Sequence, residues 1–378
     1  MRPLRLLPAA ATLLAMALLL CGCPVDPPAS APPPTGIERV RADLDAAIRT
    51  GAVGAIATLA DGDRSVTLTA GRADITTGAP IPADIPQYVR VGSITKTFTA
   101  ALVLHLVDEG GIELDAPIDT YLPGLLTGAG VDGHAITVRQ ILQHRSGLPE
   151  FADDPRMDEY EAALSRRTVT PAAEIADALL RPAQFAPGGR YEYTNTNFIV
   201  AGILVERVTG RPYAEELQRR VLAPLDLIHT YLPAAGEVRM RDPHPRGYTA
   251  DRPPTDVSLV EPSIPWSAGA LVSTGTDLNR FYSALVAGKV VAPHLLRSML
   301  DGVPTDEGGF YGLGVGYADL PCGARYVGHS GGIHGFTTLS GATAQGRAVT
   351  FTMTGLPDRA VTEGGIDPRA MLTRALCR

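Results

Sequence analysis

Residues 93–111 read SITKTFTAALVLHLVDEGG, and the first four of them point most directly to a chemical function. The apolar run that follows predicts a helix over Ile94–Glu109, which the two glycines at the end of the segment terminate. Ser93 stands three residues before Lys96. Residues three apart share a face of a helix, so the lysine amine is expected to reach the serine hydroxyl. A helix N-terminus also favours the negative charge that develops there during nucleophilic attack.

Lysine usage draws further attention to this segment. The 378 residues contain two lysines, Lys96 and Lys289, and every other Lys or Arg position is arginine. A serine needs a neighbouring base to become a nucleophile. A lysine can be that base where burial lowers its pKa, whereas an arginine stays protonated. The alternative interpretation is a helix-capping serine followed by a surface lysine.

A second segment, YEYTN over residues 191–195, precedes a predicted helix over Thr196–Thr209. The hydroxyl of Tyr193, beside a lysine ammonium, can be held as a phenolate or can relay a proton. Asn195 offers an amide donor and acceptor to a bound acyl group. Taken alone, the fragment is more typical of a strand-edge tyrosine and a helix-capping asparagine.

A third segment, GHSGG over residues 328–332, precedes a predicted strand that starts at Phe336. Its glycines allow a substrate backbone to approach a strand edge closely. The imidazole of His329 can orient Tyr193 or donate to a substrate. By itself, a histidine beside a turn is more often structural.

In this order, the three segments resemble the serine-active penicillin-recognising and class C β-lactamase superfamily, whose pattern is S-x-x-K, then Y-x-N, then K-T-G or H-x-G. The resemblance covers roughly residues 37–377 and includes VRQILQHRSGLP over 138–149 and the SAG…ST…DL…F positions of 267–281. It implies that Ser93 is the nucleophile and that Lys96 and Tyr193 move protons. It also implies an oxyanion hole formed by the backbone N–H groups of Ser93 and Gly332. The remaining residues that it implies for substrate binding are Asn195, His329, Ser330 and Gly331.

The predicted elements indicate an α/β (α+β) fold of the β-lactamase/transpeptidase-like kind. Strands near both ends of the chain predict one mixed antiparallel sheet, built from both termini and flanked by helices. Helices over about 93–232 predict an all-α insertion subdomain within a single domain over 37–378. The predicted strands are 55–60, 65–70, 312–317, 325–328, 336–342 and 348–354. Further predicted helices are 37–50, 138–143, 171–180, 213–222, 277–286 and 368–376.

The N-terminal residues predict export. Residues 1–22 resemble a signal peptide whose apolar stretch is too short to span a bilayer comfortably. Residues 23–36 combine a lipobox cysteine, Cys23, with a proline-rich tether. We therefore expect an extracytoplasmic lipoprotein, anchored to the outer face of a membrane, with plain secretion as the alternative. The net charge of -7 argues against nucleic acid as a partner, because no surplus of cations exists to neutralise phosphates.

The cysteine count favours one disulfide. With Cys21 removed in the signal peptide and Cys23 lipidated, Cys322 and Cys377 remain as a pair in an oxidising compartment. A bridge between them would close a loop worth about 4 kcal/mol on the chain-entropy model. Two free buried cysteines are the alternative, and two cysteines are too few for a zinc site.

The resemblance implies a D-alanyl-D-alanine carboxypeptidase that acts on peptidoglycan stem peptides and is acylated by penicillin. The positions of Cys322 and Cys377 are similar to those in secreted actinobacterial carboxypeptidases, and His329 replaces the lysine usual in class C β-lactamases. One departure is that those carboxypeptidases carry an arginine soon after Tyr-Gly-x-Gly, which helps hold the substrate carboxylate. Here Tyr311-Gly-Leu-Gly314 leads to Val315-Gly316-Tyr317.

Three alternatives stay open. The chain is also consistent with a class C-like β-lactamase, with an esterase or amidase of the same superfamily, or with a penicillin-binding sensor that acylates without turnover. Fold-level likeness fixes the chemistry better than the substrate. The expected substrate is a stem peptide or a β-lactam, and we expect a monomer that needs neither a metal nor another cofactor.

Overall fold

The computed structural model describes residues 36–306, 308–357 and 365–377. The predicted signal peptide, Cys23 and the tether up to residue 35 therefore lie outside the described residues. Within those described ranges, no helix combines the length and the apolar character needed to cross a bilayer.

One antiparallel sheet takes two strands from the start of the chain and six from its end. Two further pairs of short strands lie outside it. In chain order the strands are β1 (Gly54–Asp61), β2 (Arg64–Gly71), β3 (Val89–Arg90), β4 (Thr127–Gly128), β5 (Val131–Asp132), β6 (Val272–Ser273), β7 (Val303–Thr305), β8 (Gly309–Tyr311), β9 (Gly316–Asp319), β10 (Arg325–Ile333), β11 (Phe336–Thr343) and β12 (Arg347–Thr354). The large sheet runs β2-β1-β12-β11-β10-β9-β8-β7, whereas β3 pairs with β6 and β4 with β5.

Helices cover both faces of the sheet and fill the segment between its two halves. They are α1 (Gly36–Thr50), α2 (Thr95–Asp108), α3 (Val138–Leu142), α4 (Glu159–Ser165), α5 (Pro171–Ala178), α6 (Thr196–Thr209), α7 (Tyr213–Leu217), α8 (Trp266–Gly269), α9 (Gly275–Val286), α10 (Pro293–Met299) and α11 (Pro368–Leu376). The predicted fold class is confirmed: a mixed antiparallel sheet, built from both ends of the chain and flanked by helices.

The middle strand β12 has two unlike faces, as its alternating sequence predicts. Phe351 and Met353 are buried in a cluster that includes apolar side chains of α1 and α11. On the opposite face, Thr350 donates a hydrogen bond of 2.8 Å to Asn279 of α9. The terminal helices α1 and α11 therefore cover one face of the sheet and α9 covers the other.

Helix α2 forms the core between the sheet and the helical segment. Its described side chains from Thr95 to Leu104 are all buried. Phe98 stacks on Phe281 of α9 with ring centroids 3.7 Å apart. A helix that is apolar on every side must be surrounded by protein, so the start of α2 is held from several directions.

The predicted strand over 312–317 is wrong. The chain leaves β8 at Tyr311 and makes a turn in which the Gly312 N–H donates to the Val315 carbonyl, and β9 begins only at Gly316. Gly314 has a φ of +69° and packs so closely on α2 that a β-carbon there would lie 2.9 Å from the Lys96 carbonyl oxygen. Contact with α2 therefore interrupts the strand.

The sequence patterns also missed three helices, α4, α8 and α10, and they ended β10 too early. That strand continues to Ile333 and thus contains the whole GHSGG segment.

A disulfide joins Cys322 to Cys377, with Cα atoms 5.8 Å apart. Cys322 lies in the connection between β9 and β10, and Cys377 directly follows α11. The bridge thus ties the last helix to the part of the sheet that leads into the GHSGG segment.

Candidate active site

Ser93 lies in a 3₁₀ turn, Gly92–Ile94, which connects β3 to α2. Two glycines allow this turn to approach β10. A β-carbon on Gly331 would lie 2.0 Å from the Val91 carbonyl oxygen, and one on Gly92 would lie 2.7 Å from the Gly332 carbonyl oxygen. Only glycine fits at these two close approaches, and the nucleophile candidate therefore lies directly against β10.

Lys96 is fully buried at the start of α2. Its Nζ lies 2.9 Å from Ser93 Oγ, 2.7 Å from Asn195 Oδ1 and 2.9 Å from the Ala268 carbonyl oxygen. Burial lowers the pKa of Lys96 to about 7, although the carboxylate of Glu150 acts in the opposite direction. A large fraction of this lysine is therefore the neutral amine near pH 7, as a general base requires.

Tyr193 lies on the other side of the lysine. The Lys96 Nζ is 4.8 Å from the centroid of its ring. Burial raises the pKa of Tyr193 well above its ordinary value, and a partial interaction with the Ser93 hydroxyl lowers it by less. The buried Tyr193 hydroxyl forms no hydrogen bond of normal geometry with any described group.

Asn195 is oriented by a residue that the sequence did not single out. The carboxylate of Glu150 accepts hydrogen bonds from the Asn195 backbone N–H at 2.7 Å and from its side-chain Nδ2 at 3.1 Å. These bonds turn Asn195 Oδ1 towards Lys96. Glu150 directly follows the HRSGLP stretch, and this position next to the stretch is the signal that could have identified it.

His329 is buried on β10, and the neighbouring Ser330 is exposed. His329 Nε2 lies 3.0 Å from the Tyr311 hydroxyl, and its Nδ1 is hydrogen-bonded to the Ser330 carbonyl oxygen. Both ring nitrogens are thus bonded within the protein. The expectation that His329 donates to a substrate does not fit these bonds, because neither N–H position points to free space.

The Gly332 N–H points away from β11. Ile333 and Phe336 flank the two-residue turn of the β10–β11 hairpin, and such a flanking pair is hydrogen-bonded. Bonded and non-bonded pairs alternate in an antiparallel ladder, so Gly332 belongs to a non-bonded pair. A β-carbon on Gly92 would lie 3.0 Å from the Gly332 nitrogen, whereas one on Gly332 itself would meet nothing within 4 Å. The N–H therefore lies beside the Ser93 turn, as an oxyanion hole requires.

The structure thus brings Ser93, Lys96, Tyr193, Asn195 and the GHSGG segment together. It adds three residues: Glu150, Tyr311 and His144. The His144 ring packs against the Tyr193 ring at a tilt of 31°, with ring centroids 4.1 Å apart. The arrangement holds a serine, a lysine of lowered pKa and a buried tyrosine hydroxyl around one point. These are the functional groups that acyl transfer through a covalent serine intermediate requires.

Comparison with known proteins identifies the family of the chain and similar folds. A sequence profile of the Beta-lactamase family matches residues 38–367. The fold is similar to that of a D-stereospecific amidohydrolase from Streptomyces sp., with 37% identity, a TM-score of 0.77, and coverage of 83% of this chain and 93% of that one. It is also similar to D-amino acid amidase from Ochrobactrum anthropi SV3, with 25% identity, a TM-score of 0.76, and coverage of 90% and 97%.

Two curated relatives match over shorter stretches. Unguisins hydrolase ungD of Aspergillus violaceofuscus is 31% identical over 57% of this chain and 39% of its own length. Penicillin-binding protein 4* of Bacillus subtilis is 24% identical over 71% of this chain and 60% of its own length. In both cases the match spans less than two thirds of the relative.

Proposed function

The chain belongs to the Beta-lactamase family and is a serine hydrolase, and from this premise we propose that it is a D-stereospecific amidohydrolase. Its substrates would be amides whose acyl side is a D-amino acid, cleaved through an acyl-enzyme on Ser93. The similarity to two structures named for this activity supports the proposal.

The choice of an amide substrate rests on residues 315–317. In this region, D,D-carboxypeptidases of this superfamily have an arginine that binds the substrate carboxylate. Val315 is fully buried and Gly316 has no side chain. The Tyr317 hydroxyl accepts a hydrogen bond of 3.0 Å from the Gly302 N–H. None of the three offers a cation. A neutral amide needs no such cation, whereas a peptide with a free C-terminal carboxylate does.

Lys96 is the better candidate for the base. At pH 7, a lysine with a pKa of about 7 is about half neutral. A tyrosine whose pKa lies above its ordinary value of about 10 is phenolate in fewer than about one molecule in a thousand. Tyr193 is therefore assigned to passing a proton as a neutral hydroxyl, and not to taking the first one.

The proposed reaction has two steps. Ser93 Oγ attacks the amide carbonyl and gives its proton to Lys96, while the N–H groups of Ser93 and Gly332 bind the oxyanion. The C–N bond breaks as the proton passes from Lys96, through Tyr193, to the leaving nitrogen. Water then attacks the ester carbonyl and loses a proton to Lys96. The C–Oγ bond breaks as Lys96 returns that proton to Ser93 Oγ, which restores the serine hydroxyl and the neutral amine.

Paired amides test the proposal. The purified enzyme should release ammonia from D-phenylalanine amide at least about tenfold faster than from the L-amide. Ser93→Ala should abolish release while keeping the thermal unfolding temperature. Equal rates on both amides would contradict the stereospecificity, and ammonia release that survives in Ser93→Ala would contradict the acyl-enzyme.

A D,D-carboxypeptidase is the second candidate, favoured by the positions of Cys322 and Cys377. On this alternative, diacetyl-Lys-D-Ala-D-Ala would release D-alanine, and a labelled penicillin would form a long-lived adduct on Ser93. Rapid β-lactam turnover would instead favour a β-lactamase, hydrolysis confined to short-chain esters would favour an esterase, and a stable penicillin adduct with no hydrolysis of any substrate would favour a sensor.

We also propose that the enzyme is exported and carries a lipid on Cys23. Residues 1–23 support this by their signal-peptide and lipobox patterns. Cys23→Ala should release the protein from the membrane fraction or stop its processing. An unmodified mature N-terminus beyond Cys23, found by mass spectrometry, would refute the lipid anchor but not export.

A further inference from the structure

Three buried rings form a hydrogen-bonded chain behind Tyr193. His144 Nε2 lies 3.2 Å from the Tyr311 hydroxyl, and that hydroxyl lies 3.0 Å from His329 Nε2. The exposed fractions of His144, Tyr311 and His329 are 0%, 5% and 7%. Because these groups are shielded from water, their bonds to one another decide where their protons lie.

The two ends of this chain are fixed by the backbone. At one end, the Thr194 N–H lies 3.2 Å from His144 Nδ1, and the side-chain Nδ2 of Asn197 lies at the same distance. At the other end, His329 Nδ1 is hydrogen-bonded to the Ser330 carbonyl oxygen. A backbone N–H can only donate and a carbonyl oxygen can only accept. The chain therefore runs from an obligatory donor to an obligatory acceptor.

These ends determine each bond between them. His144 Nδ1 accepts, so the proton of the neutral ring is on Nε2 and is donated to the Tyr311 oxygen. The Tyr311 hydrogen is then free to be donated to His329 Nε2. His329 Nε2 accepts, so its proton is on Nδ1 and is donated to Ser330. Each bond contains one proton, and all three side chains are neutral.

An additional proton does not fit this arrangement. A proton on His329 Nε2 would face the Tyr311 hydrogen, and a proton on His144 Nδ1 would face the Thr194 N–H. The surroundings of His329 also disfavour an added proton. Burial lowers the pKa of His329 to about 4, and the charge of Lys96 lowers it further, whereas the hydrogen bond to the Ser330 carbonyl raises it. Burial and the charge of Lys96 also lower the pKa of His144.

We infer that Tyr311 is a positioning residue of the proposed site, which donates to His329 Nε2 and thereby holds His329 as the neutral Nδ1–H tautomer. The groups around His329 are Lys96, Tyr193 and Tyr311. A neutral ring leaves Lys96 free of an imidazolium neighbour, and His144, fixed by the same chain, supports the Tyr193 ring. The inference rests on the proposed roles of Ser93 and Lys96 but makes its own statement about protons.

Nuclear magnetic resonance reads these protons directly. The full chain, labelled with ¹⁵N-histidine, is recorded in long-range ¹H–¹⁵N spectra between pH 5 and pH 8, where an unperturbed histidine titrates. His329, assigned by comparison with His329→Asn, should show the Nδ1–H pattern throughout and should not titrate. His144 should show the Nε2–H pattern.

Tyr311→Phe removes the donor, and Tyr326→Phe is a matched control. Tyr326 is also buried and also bears a bonded hydroxyl, which donates to the Ser340 carbonyl at 2.9 Å on a different face of β10. In Tyr311→Phe the His329 midpoint should rise towards the ordinary pKa of about 6.5. The kcat on the D-amide should fall about tenfold with KM within about twofold, because one hydrogen bond is lost. Tyr326→Phe should change neither.

A wild-type His329 in the Nε2–H form, or one that titrates near pH 6.5, would overturn the inference whether or not Tyr311→Phe folds. An unchanged His329 midpoint in a folded Tyr311→Phe variant would overturn it too. Absence of amidase activity would affect only the proposed function, because the tautomers are measured without substrate.

Discussion

Replacement of Lys96 by arginine tests whether Lys96 acts as a proton acceptor or only as a fixed positive charge. The substitution keeps the cation beside Ser93 but removes an amine that can become neutral. Arg90, three residues before Ser93, is 1% exposed, and burial lowers its pKa to about 10. An arginine buried at position 96 is expected to behave similarly.

The magnitude follows from the two pKa values. At pH 7, a group with a pKa of about 10 is neutral in about one molecule in a thousand, whereas Lys96, with a pKa of about 7, is about half neutral. The neutral base is therefore reduced about 500-fold, and the bulkier guanidinium also displaces the hydroxyl that it contacts. We expect the rate of Ser93 acylation to fall by about 10³-fold, within the range typical of general-base catalysis.

Stopped-flow acylation by a chromogenic D-amino acid anilide measures this rate, with Lys289→Arg as the matched control, since Lys289 is the second lysine and is exposed. Wild-type kcat/KM should rise about tenfold between pH 6 and pH 8 as Lys96 loses its proton. Lys96→Gln removes the amine without burying a guanidinium. It should lose as much activity as Lys96→Arg, which would show that the loss does not come from misfolding around the arginine. A folded Lys96→Arg variant with more than a tenth of wild-type acylation, or a flat profile over this range, would refute Lys96 as the base.

Three further expectations concern residues around the site. Glu150→Gln should move the acid limb of kcat/KM to lower pH, because the carboxylate raises the pKa of Lys96; an unmoved limb would contradict this. Replacing Cys322 and Cys377 by serine should lower the free energy of unfolding in urea by about 4 kcal/mol for a loop of 55 residues, and an unchanged midpoint would refute it. His334 lies 2.9 Å from Glu159, which raises the pKa of His334. The stability lost in His334→Gln should be full below about pH 6.5 and shrink as the pH rises through the raised pKa; a loss that grows with pH would contradict this sign.

Local spacing made much of the fold and part of the site predictable. The alternation of side chains in β1, β2 and β12 and the apolar spacing of α6 can be read from residues close together in the sequence. The structure contains these elements within a few residues of the predicted bounds. The proximity of Ser93 to Lys96 is also local, because three residues make about one turn of helix. By contrast, nothing local in 312–317 indicates that Gly314 packs against α2.

The groups that orient the catalytic candidates come from distant parts of the chain. Glu150 bonds to Asn195 across 45 positions, and His144 bonds to Tyr311 across 167. Such partners are chosen by packing, which residue periodicity does not encode. The family resemblance marked the HRSGLP stretch that contains His144 and adjoins Glu150, but it did not assign a bond to either residue.

The charges on these partners set the pH range in which Lys96 would act as the proposed base. Burial lowers the pKa of Lys96, and the carboxylate of Glu150 raises it again, with the value settling at about 7. A second cation on β10, such as the lysine that class C β-lactamases usually have at position 329, would lower the pKa of Lys96 further. If His329 is neutral, as we infer, Glu150 is the principal charge that opposes the effect of burial on the pKa of Lys96. The pH at which the proposed base becomes neutral is thus set by burial, by the carboxylate of Glu150 and by the inferred absence of charge on His329.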